Sequence, residues 1–432
     1  MATTETTTDD YQAPSSSSAF DAALSDGDFD TIFEQAEELS QYFREIGPEY
    51  DQKNTFAFPT IERFKATDLP GLSVPKRFGG HGASLLQTSK VVSELSKGDS
   101  AITLAYNMHY IMVGIAGGLM SDEQNEYWLG RVARGKELMF GPFSEKRAGF
   151  SGLADMTAVP QDGGGWKIYG TKTWGTLCDA ASIITTNATI TDKDGNLPDT
   201  FEERVAAESF FIADFEFDPD TLQGDGFHVE RTWDSLGMHA TGTHTIVFDG
   251  FFVPESGFIC EWRTGAFGVL EWASLMFASI YLGMQARVLE ESQKVLSKKT
   301  LGAVFGATVA SDVKVSGVGH IIDGVGDMAS RYEICRRVLY RTCEEVAEGY
   351  DDNWPMELRF PYIGLAKTFI AENVMHMTKH AMSMVGGMSF RRGMIFERLY
   401  RDSAASLFQP LNGDQSRTYI GEVLLAPEEL ED

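Results

Sequence analysis

The sequence predicts an α+β protein in three parts: an N-terminal helical domain, a middle antiparallel β-barrel domain and a C-terminal four-helix bundle. Three observations carry this prediction. Apolar residues recur at three- and four-residue spacing up to about residue 137, alternate with a period of two from 138 to 258, and return to helical spacing from 259 to 426. Residues 1–28 are rich in Thr, Ser and Asp and carry too few large apolar side chains to offset the entropy of ordering, so a tail is expected there. A second short tail is expected over 427–432.

Taken in order, the domain at 29–137 opens on a stripe of Phe33, Ala36, Leu39, Tyr42 and Phe43 that predicts a first core helix. A Gly-rich connection, Leu72 to Ser84, leads to a helix from about Leu85 to Ser96. The next helix carries Asn107 and His109, and Asp122-Glu123 open a fourth, short one that runs to Val132, with acidic residues where the helix dipole favours them. In the domain at 138–258, β-branched and aromatic runs at 156–158, 166–169, 182–186, 210–217 and 245–252 are separated by Gly, Asp and Pro, and Lys193 to Arg204 reads as a surface excursion. In the part at 259–426, one long helix is expected from Phe267 to Leu296, a second over about Val318 to Glu348 broken early by glycines, a third from Pro361 to Gly386-Gly387, and a fourth from Ile395 to Phe408.

Composition limits the function. Hydrophobic residues at 43% and charged residues at 23% suit a globular protein with real cores, and the net charge of −27 repels nucleic acid and anionic membranes. The run around Ile111 to Met120 is too short to span a bilayer. The N-terminus has neither the basic start and apolar core of a secretion signal nor the arginines of a mitochondrial presequence, so a cytoplasmic location is expected. Cys178, Cys260, Cys335 and Cys343 form no Cys-x-x-Cys pattern and read as reduced thiols.

The stretch Gly170-Thr171-Lys172-Thr173-Trp174-Gly175-Thr176 follows a glycine turn at 163–165. Trp174 and Thr176, two apart on a strand, are expected to share a face and offer an aromatic platform beside a hydroxyl, which suits a flat heteroaromatic ring. Upstream lies Phe140-Gly141-Pro142-Phe143-Ser144-Glu145. Downstream lie Trp233 to His244, Val247 to Pro254, Gly386-Gly387 and Glu397 to Asp402. In this order and spacing the chain resembles the acyl-CoA dehydrogenase superfamily of flavoproteins from about residue 30 to residue 425.

The resemblance implies FAD as cofactor, with FMN the alternative. It places the flavin's pyrimidine edge at the backbone of Phe143 and Ser144, its ring system against Trp174, and N5 near Thr176. Lys298 and Thr300 would reach the pyrophosphate of a neighbouring subunit's cofactor, Lys298 standing where the family has arginine, and Gly386 and Gly387 would meet its adenosine half. Asn412 is a further cofactor-binding candidate. A homodimer or homotetramer is implied, together with an acyl-CoA substrate and an electron-transfer flavoprotein as acceptor.

One departure concerns the base. Counting without gaps from Arg401-Asp402, the family's usual glutamate position is Pro410, and the alternative position on the first bundle helix is Ala273. Proline cannot take a proton. Glu271, Asp414 and His109 are the remaining candidates. His376 and His380 lie one helical turn apart, but without the Glu of His-Glu-x-x-His they read as a helix face, and no metal is expected. The activity implied is α,β-dehydrogenation of an acyl thioester; the alternatives are a flavin-dependent monooxygenase acting on an aromatic or heteroatom substrate, and a catalytically decayed flavin-binding relative.

Overall fold

The computed structural model describes residues 24–146, 153–262, 270–300, 303–304, 307–308, 314–348, 356–409 and 412–425. Order begins earlier than composition suggested. Helix α1 (Asp26–Lys53) is capped by Ser25, and the backbone N–H and C=O of buried Leu24 are both bonded to the Gln87 side chain. Of the expected stripe, Ala36, Leu39 and Phe43 are buried while Phe33 and Tyr42 are half-buried, and Phe29 and Ile32 join the buried face. There follow α2 (Pro59–Lys65), α3 (Leu85–Gly98), α4 (Ser100–Leu119) and α5 (Asp122–Gly135). Ser84 with Gln87, and Ser121 with Gln124, form capping boxes that fix where α3 and α5 start. Being apolar nearly all round, α4 is buried on almost every side. No helix among the described residues is long and apolar enough to cross a membrane.

The middle part is a sheet of β1 (Met139–Phe140), β2 (Thr157–Pro160), β3 (Trp166–Gly175), β4 (Ile183–Ile190), β5 (Glu208–Asp214), β6 (Gln223–Gly224), β7 (Phe227–Glu230), β8 (His244–Val253) and β9 (Phe258–Glu261). Its strand order is β6-β7-β8-β3-β2-β4-β5-β9, with β1 also on β4. The sheet is mostly antiparallel as expected, but β1 and β2 both pair with β4 in parallel. In the polar excursion before β5 a short helix, α6 (Phe201–Ala207), forms on a Thr200/Glu203 capping box.

Three long helices follow: α7 (Leu270–Leu296), α8 (Gly319–Glu348) and α9 (Met356–Val385). Between α7 and α8 lies a two-stranded ribbon, β10 (Ala303–Val304) with β11 (Ala307–Thr308). Two expectations are corrected here. Glycines do not interrupt α8, because Gly324 is a packing device: a Cβ there would lie 2.4 Å from Met384 Sδ on α9. Nor does Pro361 open α9, which starts at Met356 with Pro361 inside it; the buried Leu358 and Ile363 flank the proline and hold its turn against the core. The fourth helix, α10 (Ile395–Ser403), gives way to a 3-10 turn at Ala404–Leu407, and α11 (Gly413–Leu425) packs on α9 beyond the helices foreseen. The helical parts lock together at Gly114 of α4, whose missing Cβ would sit 2.1 Å from the Trp272 ring on α7.

Candidate functional site

Lys172 and Trp174 share a parity on β3, yet Lys172 is wholly buried while Trp174 is 41% exposed. The pairing register between β3 and β8 shifts between Lys172 and Gly175, and this irregularity turns the indole out of the sheet. Trp174 then meets Phe408 edge-on at 5.3 Å and Trp233 at 6.3 Å between ring centroids. Phe408, Leu407 and Leu236 are also exposed. Thr176 is not on the strand with Trp174, so the alternation behind a shared face does not extend to it: β3 ends at Gly175 and Thr176 already lies in a turn.

The Thr176 hydroxyl is 2.9 Å from that of Thr243, which is 2.7 Å from that of Thr241, and Thr241 donates to the Met238 carbonyl at 3.0 Å. A carbonyl only accepts, so each hydroxyl in the chain donates toward Met238 and Thr176 retains acceptor capacity. The loop from Trp233 to Thr243 is held by α10. Met238 N–H donates to Asp402 Oδ1 at 2.6 Å, and a Cβ on Gly237 would stand 2.5 Å from the Arg401 carbonyl oxygen. Burial, reinforced by the nearby Asp99 carboxylate, pushes the Asp402 carboxyl up to about 6. His239 lies 3.1 Å from Asp51 Oδ1, and Asp51 also receives a two-pronged contact from Arg401 at 3.0 and 2.7 Å. The hydrogen bond to Asp51 outweighs desolvation and raises His239 to about 9.

Phe143 stacks near Phe210 and Trp262, and Thr173 donates through both N–H and hydroxyl to the Ser144 carbonyl. The residue that pins this loop is Lys172. Its ammonium donates to the Phe143 carbonyl at 3.2 Å, Glu145 Oε1 at 2.6 Å and Asn187 Oδ1 at 2.8 Å. Burial lowers its pKa while Glu145 opposes the change. Sequence reading passed over Lys172; the available signal was a lysine at an inward register position of a strand.

The three proposed bases fare differently. His109 is spent on structure: its Nδ1 accepts from Met139 N–H at 3.0 Å, so its Nε2–H donates to the Pro70 carbonyl at 2.8 Å, and burial lowers its pKa to about 4. A neutral ring with both nitrogens bonded to backbone is a brace, and this overturns its reading as a base. Asp414 is 92% exposed at the start of α11, paired with Arg417 at 2.8 Å. Glu271 is 6% exposed in the first turn of α7. Pro410 lies outside the described residues.

Lys298 and Thr300 are exposed at the end of α7, and Lys299 between them donates from Nζ to the Val385 carbonyl at 2.7 Å. That bond brings the end of α7 to Gly386, which has φ +82° where α9 stops, and Gly387, which opens a 3-10 turn. The segment that carries Lys298 and Thr300 thus adjoins the Gly386-Gly387 corner through Lys299. Asn412 is instead engaged locally, its Oδ1 accepting from Gln415 N–H at 3.0 Å.

Residues 34–136 match the N-terminal domain model of acyl-CoA dehydrogenases and residues 268–409 match the C-terminal one. A putative acyl-CoA dehydrogenase of Bacillus subtilis, YdbM, is 24% identical over 381 residues, which cover 86% of this chain and 91% of the relative. Among solved structures, FMN-bound TdsC from Paenibacillus sp. A11-2 shares the fold with a TM-score of 0.79 at 20% identity, covering 91% of this chain and 97% of that one. Butyryl-CoA dehydrogenase from Megasphaera elsdenii does so with a TM-score of 0.77 at 20% identity, covering 94% and 100%. The two matched domains together span more than half of the residues, and the chain belongs to the acyl-CoA dehydrogenase family.

Proposed function

We propose that this protein is a flavin-dependent oxidoreductase that introduces an α,β double bond into an acyl thioester. The observation that carries the proposal is the open indole of Trp174, standing between Phe408 and Trp233 at the rim of the sheet. A solid interior around that indole would have left nothing for a planar ring to cover. The Thr176 hydroxyl, its proton given to Thr243, would be left to accept from the N5–H of a flavin that has gained a hydride, and the loop at Phe143 and Ser144 is held still by Lys172. FAD would be held by Trp174, Thr176, Phe143 and Ser144. Lys298, Thr300, Gly386 and Gly387 would serve a neighbouring subunit's cofactor in a homodimer or homotetramer. FMN, present in the TdsC structure, is the alternative. When bound, a flavin supplies the two-electron acceptor for the hydride that leaves Cβ.

Glu271 is proposed to take the proton from Cα, because among the three candidates it alone is a buried carboxylate. A specific observation favours a second reading. Pro410 occupies the family's usual glutamate position, and a flavin monooxygenase needs no base there; TdsC is a dibenzothiophene monooxygenase. The test is anaerobic mixing of the flavin-loaded protein with a panel of acyl-CoAs. Bleaching of the flavin that is lost in Glu271→Gln supports dehydrogenation. Bleaching undiminished in that variant removes Glu271 from the proposal, and an inert panel together with oxygenation of an aromatic or sulfur substrate on adding a reductant and oxygen supports the second reading. A protein that takes up no flavin overturns both.

A further inference from the structure

We infer that Asp327 on α8, with His376 and His380 on α9, forms a binding site for a divalent transition metal, with zinc the fitting ion. His376 Nε2 and His380 Nδ1 lie 3.3 and 3.7 Å from Asp327 Oδ2, and the three donor atoms are all within 4.8 Å of one another. An ion bound tetrahedrally about 2.0–2.1 Å from each donor separates its ligands by roughly 3.4 Å, so two of the three edges are already close to the required length. The histidines come from adjacent turns of one helix and the carboxylate from its neighbour, an arrangement that stays together without the ion.

Two further features mark the site as built. His380 Nδ1 is buried without a hydrogen-bond partner, and such an atom aimed at a carboxylate is ready for a cation. Gly324 on α8 gives the ring its space, since a Cβ there would come within 3.0 Å of His380 Nε2. The donors line an open surface depression together with Asp323, Ser330 and Arg331, which leaves water free to complete the coordination shell. Arg331 donates to Asp327 Oδ2 at 2.8 Å and to Asn373 Oδ1 at 3.0 Å, and an ion on Oδ2 would take the place of the first bond while the second stays. The ion would clamp α8 to α9.

The experiment titrates the chelator-treated full-length protein with Co²⁺, read by the visible bands of tetrahedral cobalt, followed by displacement with Zn²⁺. The expected result is saturation at one equivalent per chain. His376→Ala and His380→Ala should each weaken binding by about tenfold or more, while His320→Ala, an exposed histidine on α8 outside the cluster, leaves it unchanged. Circular dichroism of the variants confirms folding, which the partly exposed positions permit. Zinc should also raise the thermal midpoint of the wild type and leave that of the His376/His380 double alanine variant where it is. Absence of saturable cobalt or zinc binding, or equal binding by the double variant, overturns the assignment and leaves the cluster as a plain ion pair between helices.

Discussion

Replacing the buried Asp402 with asparagine keeps an acceptor for the Met238 N–H but removes the only charge that the side chain can carry. The magnitude follows from the raised acidity constant. In the unfolded chain an aspartate ionises near 3.8, and in the fold it ionises at about 6, so the folded state holds its proton longer. A group raised in this way contributes most below the unfolded value, and the contribution is lost as pH rises through the folded one. Between about pH 4.5 and pH 8 the wild type should lose about 2 kcal/mol of stability relative to Asp402→Asn. For a chain of 432 residues this corresponds to a change of about 2 °C in the difference between the two thermal midpoints. The assay is calorimetry of both proteins across that range in matched buffers. A midpoint difference that stays constant with pH would refute the reasoning, because a lost contact shifts both ends equally whereas a lost ionisation does not.

Three other predictions follow from the same geometry. Lys172→Met leaves Glu145 buried without its cation, so stability should fall by about 3–5 kcal/mol and flavin affinity with it; denaturant midpoints and flavin fluorescence read the two effects, and a variant unchanged in both would show that the Phe143 loop is held by something else. Trp174→Ala removes the aromatic shelf and should weaken flavin binding by about tenfold at little cost to the midpoint, given how far the indole is exposed; unaltered affinity places the cofactor elsewhere. The protonated His239 stabilises the loop through Asp51, fully below about pH 6.5 and no longer once pH has risen through about 9, so urea midpoints of the wild type should fall more steeply than those of His239→Gln between about pH 7 and pH 10. Parallel curves would count against that pairing.

Much of the architecture was legible because it depends on local periodicity. The stripe from Phe33 to Phe43, the helix start at Leu85 and the strand-like run at 166–169 each encode an element within a few residues, and a helix or strand forms at each. Local rules misled where a neighbour outweighed them. Gly324 looked like a helix breaker until His380 and Met384 were seen filling the space of its missing side chain, and Pro361 looked like a helix start until burial on both sides carried the helix through it.

The sequence by itself determined the order of helices and strands, the family and the identity of Trp174 as the residue to watch, because spacing along the chain is enough for these. Only the tertiary structure decided what each polar group is used for. His109 had the right chemistry for a base but meets two backbone groups, Lys172 holds three partners in the interior that nothing in its local sequence names, and His376 with His380 face Asp327 only because α8 carries it to them. Proton transfer, coordination and ion pairing act over a few ångströms, and residues tens of positions apart in the chain reach that distance only when the helices pack.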